Sequence, residues 1–281
     1  MKKNYFITGG TGSFSKEYIK QLIRYKKAKK IIIYSRDEYK QEKLKSLDFI
    51  RKNINLFRFF IGDVRDQDRL KFSITNEIDQ VVHAAAMKQV PTSEYNPFEV
   101  IKTNIIGAQN VVLACIDSNI KKIIALSTDK ASGPINLYGA TKLTSDKIFT
   151  SANLFKGKKR CKFSVVRYGN VMGSRGSVLP IFLKQKKKNI FTLTDKRMTR
   201  FNISLYEAIK FVFMVENKMN GGEIFVPKIP SFKVIDLIKA ISSKPKLKII
   251  GIRPGEKLHE EMITEGESLN TLIYKSYYTI M

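Results

Sequence analysis

Tyr138 and Lys142 are two side chains whose types and spacing suit acid–base chemistry. The stretch "STDKASGPINLYGATK", residues 127–142, ends with this pair, four residues apart. On one helix this spacing directs both side chains to the same spot. A lysine ammonium beside the phenol favours phenolate, so a tyrosine with an ordinary pKa near 10 becomes a usable base. The pair therefore predicts redox chemistry at a hydroxyl group, although Tyr-x-x-x-Lys also occurs by chance.

Asp129 and Lys130 open the same stretch and add a carboxyl group and an amine. A redox reaction alone needs neither group. One interpretation is that they supply an acid and a base for a second chemical step. The other is that they are a solvated pair in a surface turn.

The elements that must position these residues alternate between short apolar runs and amphipathic segments. Runs such as "NYFIT", "KKIIIY", "IDQVVHAAA", "KKIIALS" and "KFSVVRYG" are near-continuous in hydrophobic residues, as expected for parallel strands buried on both faces. We predict a doubly wound, Rossmann-like α/β domain over residues 1–173. A smaller, mainly substrate-binding α/β subdomain over residues 174–281 would cover its ligand edge. A long helical segment is expected from about Glu94 to Ser118.

A glycine-rich turn, "TGGTGSFS", follows the first predicted strand directly. Glycines at Gly9 and Gly12 let the backbone approach a pyrophosphate over a helix N-terminus. The alternative is a tight turn with no ligand. Ser15 stands where a third glycine is usual, and we expect it to tighten the fit without abolishing phosphate binding. The remaining predicted contacts of this turn with a dinucleotide are Thr11, Ser13 and Phe14.

The second strand ends in "YSRDEYK", which bears on the choice between NADP and NAD. Arg36, with Ser35 beside it and Lys40 one turn later, suits the 2′-phosphate of NADP. Asp37 and Glu38 keep NAD possible. Further cofactor contacts are predicted at Asp63 and Val64, near the adenine, and at Ala84, Ala85 and Ala86. His83 is interpreted as a hydrogen-bonded strand-end histidine rather than a catalyst.

Composition sets the broad class of the protein. The chain has 281 residues, with 51 Lys and Arg against 25 Asp and Glu, for a formal net charge of +26. The basic runs follow amphipathic stretches and lack a nucleic-acid motif, so we expect no nucleic-acid partner. The positive electrostatic field of the protein would, however, speed the capture of a phosphate-bearing substrate. No apolar run reaches the roughly 20 residues that a membrane span needs, and the N-terminus does not resemble a signal peptide, which predicts a cytoplasmic protein without membrane association. Cys115 and Cys161 are expected to be buried free thiols, and no metal site is predicted.

The chain resembles the extended short-chain dehydrogenase/reductases, and within them the inverting UDP-N-acetylglucosamine 4,6-dehydratases of pseudaminic acid biosynthesis. The resemblance runs from residue 5 to about residue 262 and depends on motifs of differing specificity. The segments that carry it are "TGGTGSFS", "IIIYSRDEYKQ", "FFIGDVRD", "HAAAMKQVP", "STDKASGPINLYGATKL", "FSVVRYGNVMGSRGSV", "RMTRF", "GGEIFVPKIPS" and "IIGIRPGEKLHEEM". The resemblance implies a lyase with a tightly bound NADP that is regenerated in each turnover.

The resemblance also implies catalytic roles for residues 127–142, which are called the active-site stretch below. Tyr138 would deprotonate the sugar C4 hydroxyl as hydride leaves C4, and Thr128 would hydrogen-bond the C4 oxygen. The resulting ketone acidifies the C5 proton, which Lys130 would remove while Asp129 protonates the departing C6 hydroxyl. Hydride then returns to C6 and a proton to C5. Lysine where retaining dehydratases carry glutamate goes with protonation of C5 from the other face and an L-configured product.

Lys130 has to be neutral part of the time to act as a base. We expect the positive charges of Lys142 and the oxidised nicotinamide, together with desolvation under the sugar, to lower its pKa. Asp129 has to carry a proton before elimination.

On the substrate side, the resemblance places Asn170 against the sugar nucleotide and Arg175 at the rim of the site. Arg200 and Arg253 are candidates for diphosphate pairing, although each is also an ordinary surface charge. Glu256 would meet the nucleotide ribose, and Lys88 would reach substrate or cofactor.

Two features depart from the family pattern, and other functions stay open. Besides Ser15, the chain stops some tens of residues earlier than is typical of the family, which bears on its expected assembly as a homo-oligomer between dimer and hexamer. The enzyme alternatives are a UDP-sugar C4 epimerase, which needs no C5 base, and a retaining dehydratase, which would carry glutamate at position 130. The non-enzyme alternative is a cofactor-sensing or RNA-binding protein on the same fold.

Overall fold

A nine-stranded sheet forms the centre of the protein in the computed structural model, which describes residues 1–173 and 177–281. The described strands are β1 Lys3–Thr8, β2 Ala28–Ser35, β3 Phe57–Ile61, β4 Gln80–His83, β5 Lys122–Thr128, β6 Lys162–Tyr168, β7 Asn170–Val171, β8 Ile190–Leu193, β9 Thr199–Ile203, β10 Ile224–Pro227, β11 Ser231–Lys233, β12 Lys246–Ile249, β13 Thr271–Ile273 and β14 Tyr277–Ile280. The order across the large sheet is β13-β14-β10-β6-β5-β4-β1-β2-β3. The seven strands from β10 to β3 pair in parallel, and β14 and β13 add an antiparallel edge.

Helices cover both faces of this sheet. The described α-helices, including those of the region after residue 173, are α1 Ser13–Arg24, α2 Glu38–Lys45, α3 Asp48–Arg51, α4 Gln67–Ser73, α5 Val90–Tyr95, α6 Pro97–Ile101, α7 Gly107–Asp117, α8 Leu137–Phe155, α9 Val178–Gln185, α10 Leu205–Lys218, α11 Val234–Ile241 and α12 Glu265–Ser268. Alternate residues of one strand enter different cores: Tyr5 and Ile7 of β1 pack with α1 and α10, whereas Phe6 packs with α7 and α8. The predicted doubly wound fold is confirmed.

The long helical segment expected from about Glu94 to Ser118 is divided into several helices. α5 ends at Tyr95, Asn96 leaves the helical conformation, and α6 begins at Pro97, whose missing N–H is tolerated in a first turn. A π-helical stretch, Lys102–Ile106, then joins α6 to α7.

The chain after residue 173 serves two purposes. It returns β10, β13 and β14 to the large sheet and also forms two small sheets, β11-β9-β7 and β12-β8. A third apolar cluster, which includes Phe182, Phe191 and Ile238, holds this part together. Phe182 also lines the cavity that begins at the glycine turn, so this region forms part of the cavity wall. The boundary at residue 173 stays a prediction.

The structure also bears on the predictions for the two cysteines and for membrane-spanning helices. Cys115 and Cys161 are both buried and free, as predicted. Within residues 1–173 and 177–281, no helix combines the length and the apolar character that crossing a bilayer requires.

Candidate active site

One cavity of about 990 Å³ opens between the carboxyl ends of the parallel strands and the region after residue 173. It brings together the predicted site residues that the structure describes, with one exception. The predicted residues that line it are Gly9, Thr11, Gly12, Ser13, Phe14, Ser35, Arg36, Lys40, Asp63, Val64, Ala84, Ala85, Ala86, Lys88, Thr128, Lys130, Tyr138, Lys142, Asn170, Arg200, Arg253 and Glu256. The exception is Asp129, which is fully buried behind the wall. Arg175 lies outside the described residues.

The glycine turn has the close backbone packing that a dinucleotide site requires. Gly9 has φ +63°, and a Cβ built on it would lie 2.8 Å from the backbone nitrogen of Ala85. The hydroxyl of Ser15 is fully buried and donates to the carbonyl of Gly9 at 3.0 Å. Ser15 therefore fixes the turn from beneath, which fits its expected role in tightening the packing.

The region predicted to select the cofactor contains cations that already have acidic partners. Arg36 lies 3.5 Å from a carboxylate oxygen of Asp63, and Lys40 pairs with Asp37, which also caps α2. These guanidinium and ammonium groups are about half exposed, so a 2′-phosphate could replace the carboxylates as their partner. Gln41 holds Ser35 by donating to its carbonyl at 2.9 Å.

His83 is a buried structural side chain, as the sequence indicated. Its Nδ1 lies 2.8 Å from the hydroxyl of Thr8, which also accepts hydrogen bonds from the N–H groups of Ala84 and Ala85. Burial, followed by the charge of Lys142, lowers the pKa of His83 to about 3. The ring is therefore neutral at physiological pH and contacts the Thr8 hydroxyl that holds Ala84 and Ala85.

Tyr138 and Lys142 lie at the start of α8, where Asn136 caps the helix by accepting from the N–H of Gly139 at 2.8 Å. Lys142 Nζ donates to the carbonyl of Leu126 at 2.8 Å, and burial lowers its pKa. Burial raises the pKa of Tyr138, and a hydrogen bond with Thr128 opposes the rise. The protein groups by themselves therefore do not provide the phenolate-favouring effect expected from Lys142.

Lys130 makes two ion pairs, one of which the sequence did not suggest. Its Nζ lies 3.0 Å from Asp129 Oδ1 and 3.0 Å from Glu260 Oε1. Burial disfavours the ammonium, but the two carboxylates outweigh this effect, so the pKa of Lys130 is raised. In these surroundings the expected lowering of the Lys130 pKa is wrong, because Glu260 adds a second negative charge beside the amine.

The predicted substrate cations surround one carboxylate. Glu256 accepts from Arg253 at 3.0 and 3.1 Å and lies 3.5 Å from Arg200. Although burial opposes ionisation, the two guanidinium groups keep the pKa of Glu256 low. Arg200 is 8% exposed and Arg253 is largely exposed, so they form an inner and an outer cation on one wall.

The 253–260 segment contacts the active-site stretch at three places. Asn136 Nδ2 donates to the carbonyl of Gly255 at 2.7 Å, Lys257 Nζ donates to the carbonyl of Ser132 at 2.9 Å, and Glu260 pairs with Lys130. Sequence reasoning missed these contacts, and its only signal was the location of Glu260 in the family-like "IRPGEKLHEEM".

A second buried network lies behind α8. Arg167 is fully buried and pairs with Asp146 of α8 at 3.5 Å and with Glu267 of α12 at 2.9 Å. Burial raises the pKa of Asp146. Across the described part of the chain, no group of acidic, histidine and cysteine side chains is arranged to hold a metal ion.

Comparisons with known proteins agree with this geometry. The chain is 56% identical to a UDP-N-acetylglucosamine 4,6-dehydratase (inverting) of Campylobacter jejuni over 99% of its length and 82% of the relative. It is 40% identical to a UDP-glucose 4-epimerase of Rickettsia bellii, with the same shares covered. These identities confirm the resemblance to the inverting dehydratases and show that epimerases are also related.

Solved structures show the same fold. Pen from Bacillus thuringiensis superposes with a TM-score of 0.93 at 40% identity, covering 99% of this chain and 89% of that one. A dTDP-glucose 4,6-dehydratase from Streptomyces venezuelae, solved with NAD bound, gives a TM-score of 0.81 at 19% identity over 92% and 88% of the two chains. A family model described as polysaccharide biosynthesis protein matches residues 5–281. The chain is a member of this polysaccharide biosynthesis family and has the fold of the extended short-chain dehydrogenase/reductases.

Proposed function

We propose that the protein is an NADP-dependent UDP-N-acetylglucosamine 4,6-dehydratase that inverts C5, with a UDP-4-keto-6-deoxy-L-hexosamine as product. The observation that carries this proposal is that Lys130 and Tyr138 line one cavity with the dinucleotide turn, with Asp129 directly behind Lys130. A C4 epimerase has no use for the amine, and a retaining dehydratase would carry a carboxylate there. The Campylobacter relative supports the same substrate and stereochemistry.

A bound dinucleotide would supply the reversible hydride acceptance that a 4,6-dehydration needs at C4 and at C6. Gly9, which has no side chain, and the small side chains of Ala84 to Ala86 would leave space for a dinucleotide along the cavity wall. Arg36 and Lys40 would hold the 2′-phosphate that distinguishes NADP from NAD.

Tyr138 would act on the C4 hydroxyl. Thr128 lowers the pKa of the Tyr138 phenol against the larger effect of burial, and both side chains face the cavity, so a C4 oxygen between them would meet both. Because burial raises the pKa of Tyr138, the positive charge of the oxidised cofactor and of Lys142 has to stabilise the phenolate.

Lys130 and Asp129 would carry out the elimination. Lys130 takes the C5 proton, the C–H electron pair forms the C5–C6 double bond, and the C6 hydroxyl leaves as water with a proton from Asp129. Asp129 shares its Oδ1 with Lys130 Nζ at 3.0 Å, and Thr128 donates to the same oxygen at 3.0 Å.

Arg253 and Arg200 would pair with the diphosphate, with Glu256 turning to the ribose. Lys88 and Asn170 also line the cavity, which suits contacts with the sugar. We further propose that the product enters pseudaminic acid biosynthesis and that the protein works as a homo-oligomer.

Lys130→Ala tests the proposal against an epimerase. Wild-type protein given UDP-N-acetylglucosamine should yield a sugar nucleotide lighter by one water, measured by mass spectrometry. Lys130→Ala should keep bound cofactor, seen by absorbance of the released nucleotide, but lose at least about a hundredfold in dehydration rate. The matched control Lys147→Ala removes an exposed lysine from the outer face of α8 and should change neither the bound cofactor nor the dehydration rate.

A wild-type product of unchanged mass would instead indicate the epimerase. Full dehydration by Lys130→Ala would remove Lys130 from the mechanism.

A further inference from the structure

Glu260 reaches the catalytic amine from a distant part of the chain. Its Oε1 lies 3.0 Å from Lys130 Nζ, and it lines the cavity together with Tyr138 and Thr128. Glu260 takes no part in the proposed C4 oxidation, elimination or hydride return.

Burial of the Glu260 carboxylate has a high desolvation cost. The residue is only 8% exposed, and within the described part of the chain its Oε2 has no hydrogen-bond partner. Asp129 Oδ2 is in the same condition. Two buried carboxylates against one ammonium carry a desolvation cost that well-packed apolar side chains would avoid, so packing alone does not explain Glu260.

We propose that Glu260 is a positioning residue for the base: its carboxylate fixes Lys130 Nζ at the cavity wall and controls how readily the amine gives up its proton. This inference rests on the proposed function, in which Lys130 removes the C5 proton.

Two anchors define the position of Nζ where one would not. A lysine side chain has four flexible carbon–carbon bonds, and Asp129, its neighbour in sequence, holds Nζ from one side only. Glu260 holds it from the 253–260 segment, which Asn136 and Lys257 fasten to the active-site stretch. A base held within a few tenths of an ångström of its proton gains rate through orientation.

The pH dependence follows from the charges that face Lys130. These are Asp129 from its own turn and Glu260 from the 253–260 segment, and Tyr138 of α8 faces the same cavity. Lys142 and Lys257 donate to backbone carbonyls. Both carboxylates raise the pKa of Lys130, so removing one lowers it, and the neutral amine then forms at lower pH. The acidic limb of the kcat profile should move to lower pH.

Glu260→Gln tests the inference, with Glu260→Asp as the conservative variant and the neighbouring exposed Glu261→Gln as the matched control. We expect Glu260→Gln to lower plateau kcat about 10- to 100-fold with KM within about threefold, and to move the acidic limb down by about one pH unit. In a single turnover, reduced cofactor should accumulate, because C4 oxidation continues while elimination is slow. Glu260→Asp should restore the limb and part of the rate, and Glu261→Gln should match wild type.

Wild-type kcat and pH profile in Glu260→Gln would overturn the inference, and so would a lower rate with an unmoved limb, which marks a structural role. If Glu260→Gln does not fold, the limb and the accumulation of reduced cofactor in Glu260→Asp, compared with wild type, decide the question. Failure of the wild-type protein to dehydrate the substrate would instead refute the proposed function and is visible without any variant.

Discussion

The two ends of the cavity are stabilised by different kinds of contact. Around the glycine turn the contacts are backbone groups and neutral side chains: the Gly9 carbonyl, the Ser15 hydroxyl and the Thr8 hydroxyl that holds Ala84 and Ala85. Around the active-site stretch the contacts are ion pairs, in which Lys130 lies between Asp129 and Glu260. Steric fit does not titrate, whereas a buried ion pair does. The contribution of the glycine turn to cofactor binding should therefore vary little with pH, while turnover should vary strongly.

Gly9→Ala should have the largest effect at the cofactor end. A Cβ there meets backbone atoms at 2.8 Å in a left-handed conformation that alanine adopts at a cost of about 1–2 kcal/mol. We expect loss of bound NADP and a reduction of several degrees in Tm, measured by nucleotide release and thermal unfolding.

Gly157→Ala is the matched control for Gly9→Ala. Gly157 has φ +61° but no atom within 4 Å of the added Cβ, so it carries the same backbone cost without the clash. It should keep its cofactor. Equal cofactor loss in both variants would show that conformational strain, and not fit, explains the result.

Arg36→Ala should have an intermediate effect and sharpens the choice of cofactor. We expect NADP affinity to fall about tenfold or more, since a charge-assisted hydrogen bond contributes about 1.5–3 kcal/mol, while NAD affinity stays within about threefold. Titration calorimetry with both nucleotides measures this. Arg51→Ala, which removes an exposed ion pair with Asp48, should change neither affinity. A matching loss for NAD would refute the role in 2′-phosphate binding.

Ser15→Ala should have the smallest effect. It removes one buried hydrogen bond to Gly9, whose carbonyl still accepts from the N–H of Gly12 at 2.9 Å. The free energy of unfolding should fall by about 1 kcal/mol, read from urea titration, with NADP affinity unchanged. Ser73→Ala, a buried helix serine remote from the cavity, gives the comparison value. A tenfold loss of NADP affinity in Ser15→Ala would assign Ser15 to the phosphate itself.

Sequence reasoning served the cofactor end better because its signals are local. A buried strand, a glycine turn and a helix start lie within about twenty residues of one another, and neighbouring residues are enough to define the backbone geometry there. The parallel fold was predictable for the same reason, since each strand shows its own run of apolar residues.

The charge state of Lys130 was not predictable in this way. It depends on Glu260, which joins the site through loop contacts far along the chain, and no periodicity marks such a loop. Asp129 was recognised as a candidate acid, but its placement behind the cavity wall depends on three-dimensional packing. The break near Asn96 and Pro97 in the expected long helix is different, because proline before the apolar pattern was a usable local signal.

The most direct test of the central claim is the configuration at C5 of the product. Wild-type protein should be incubated with UDP-N-acetylglucosamine in deuterated water without added cofactor, and the product followed by NMR. We predict a 4-keto-6-deoxy sugar with deuterium at C5 and inverted C5 geometry. A dehydrated product with retained C5 geometry would contradict it.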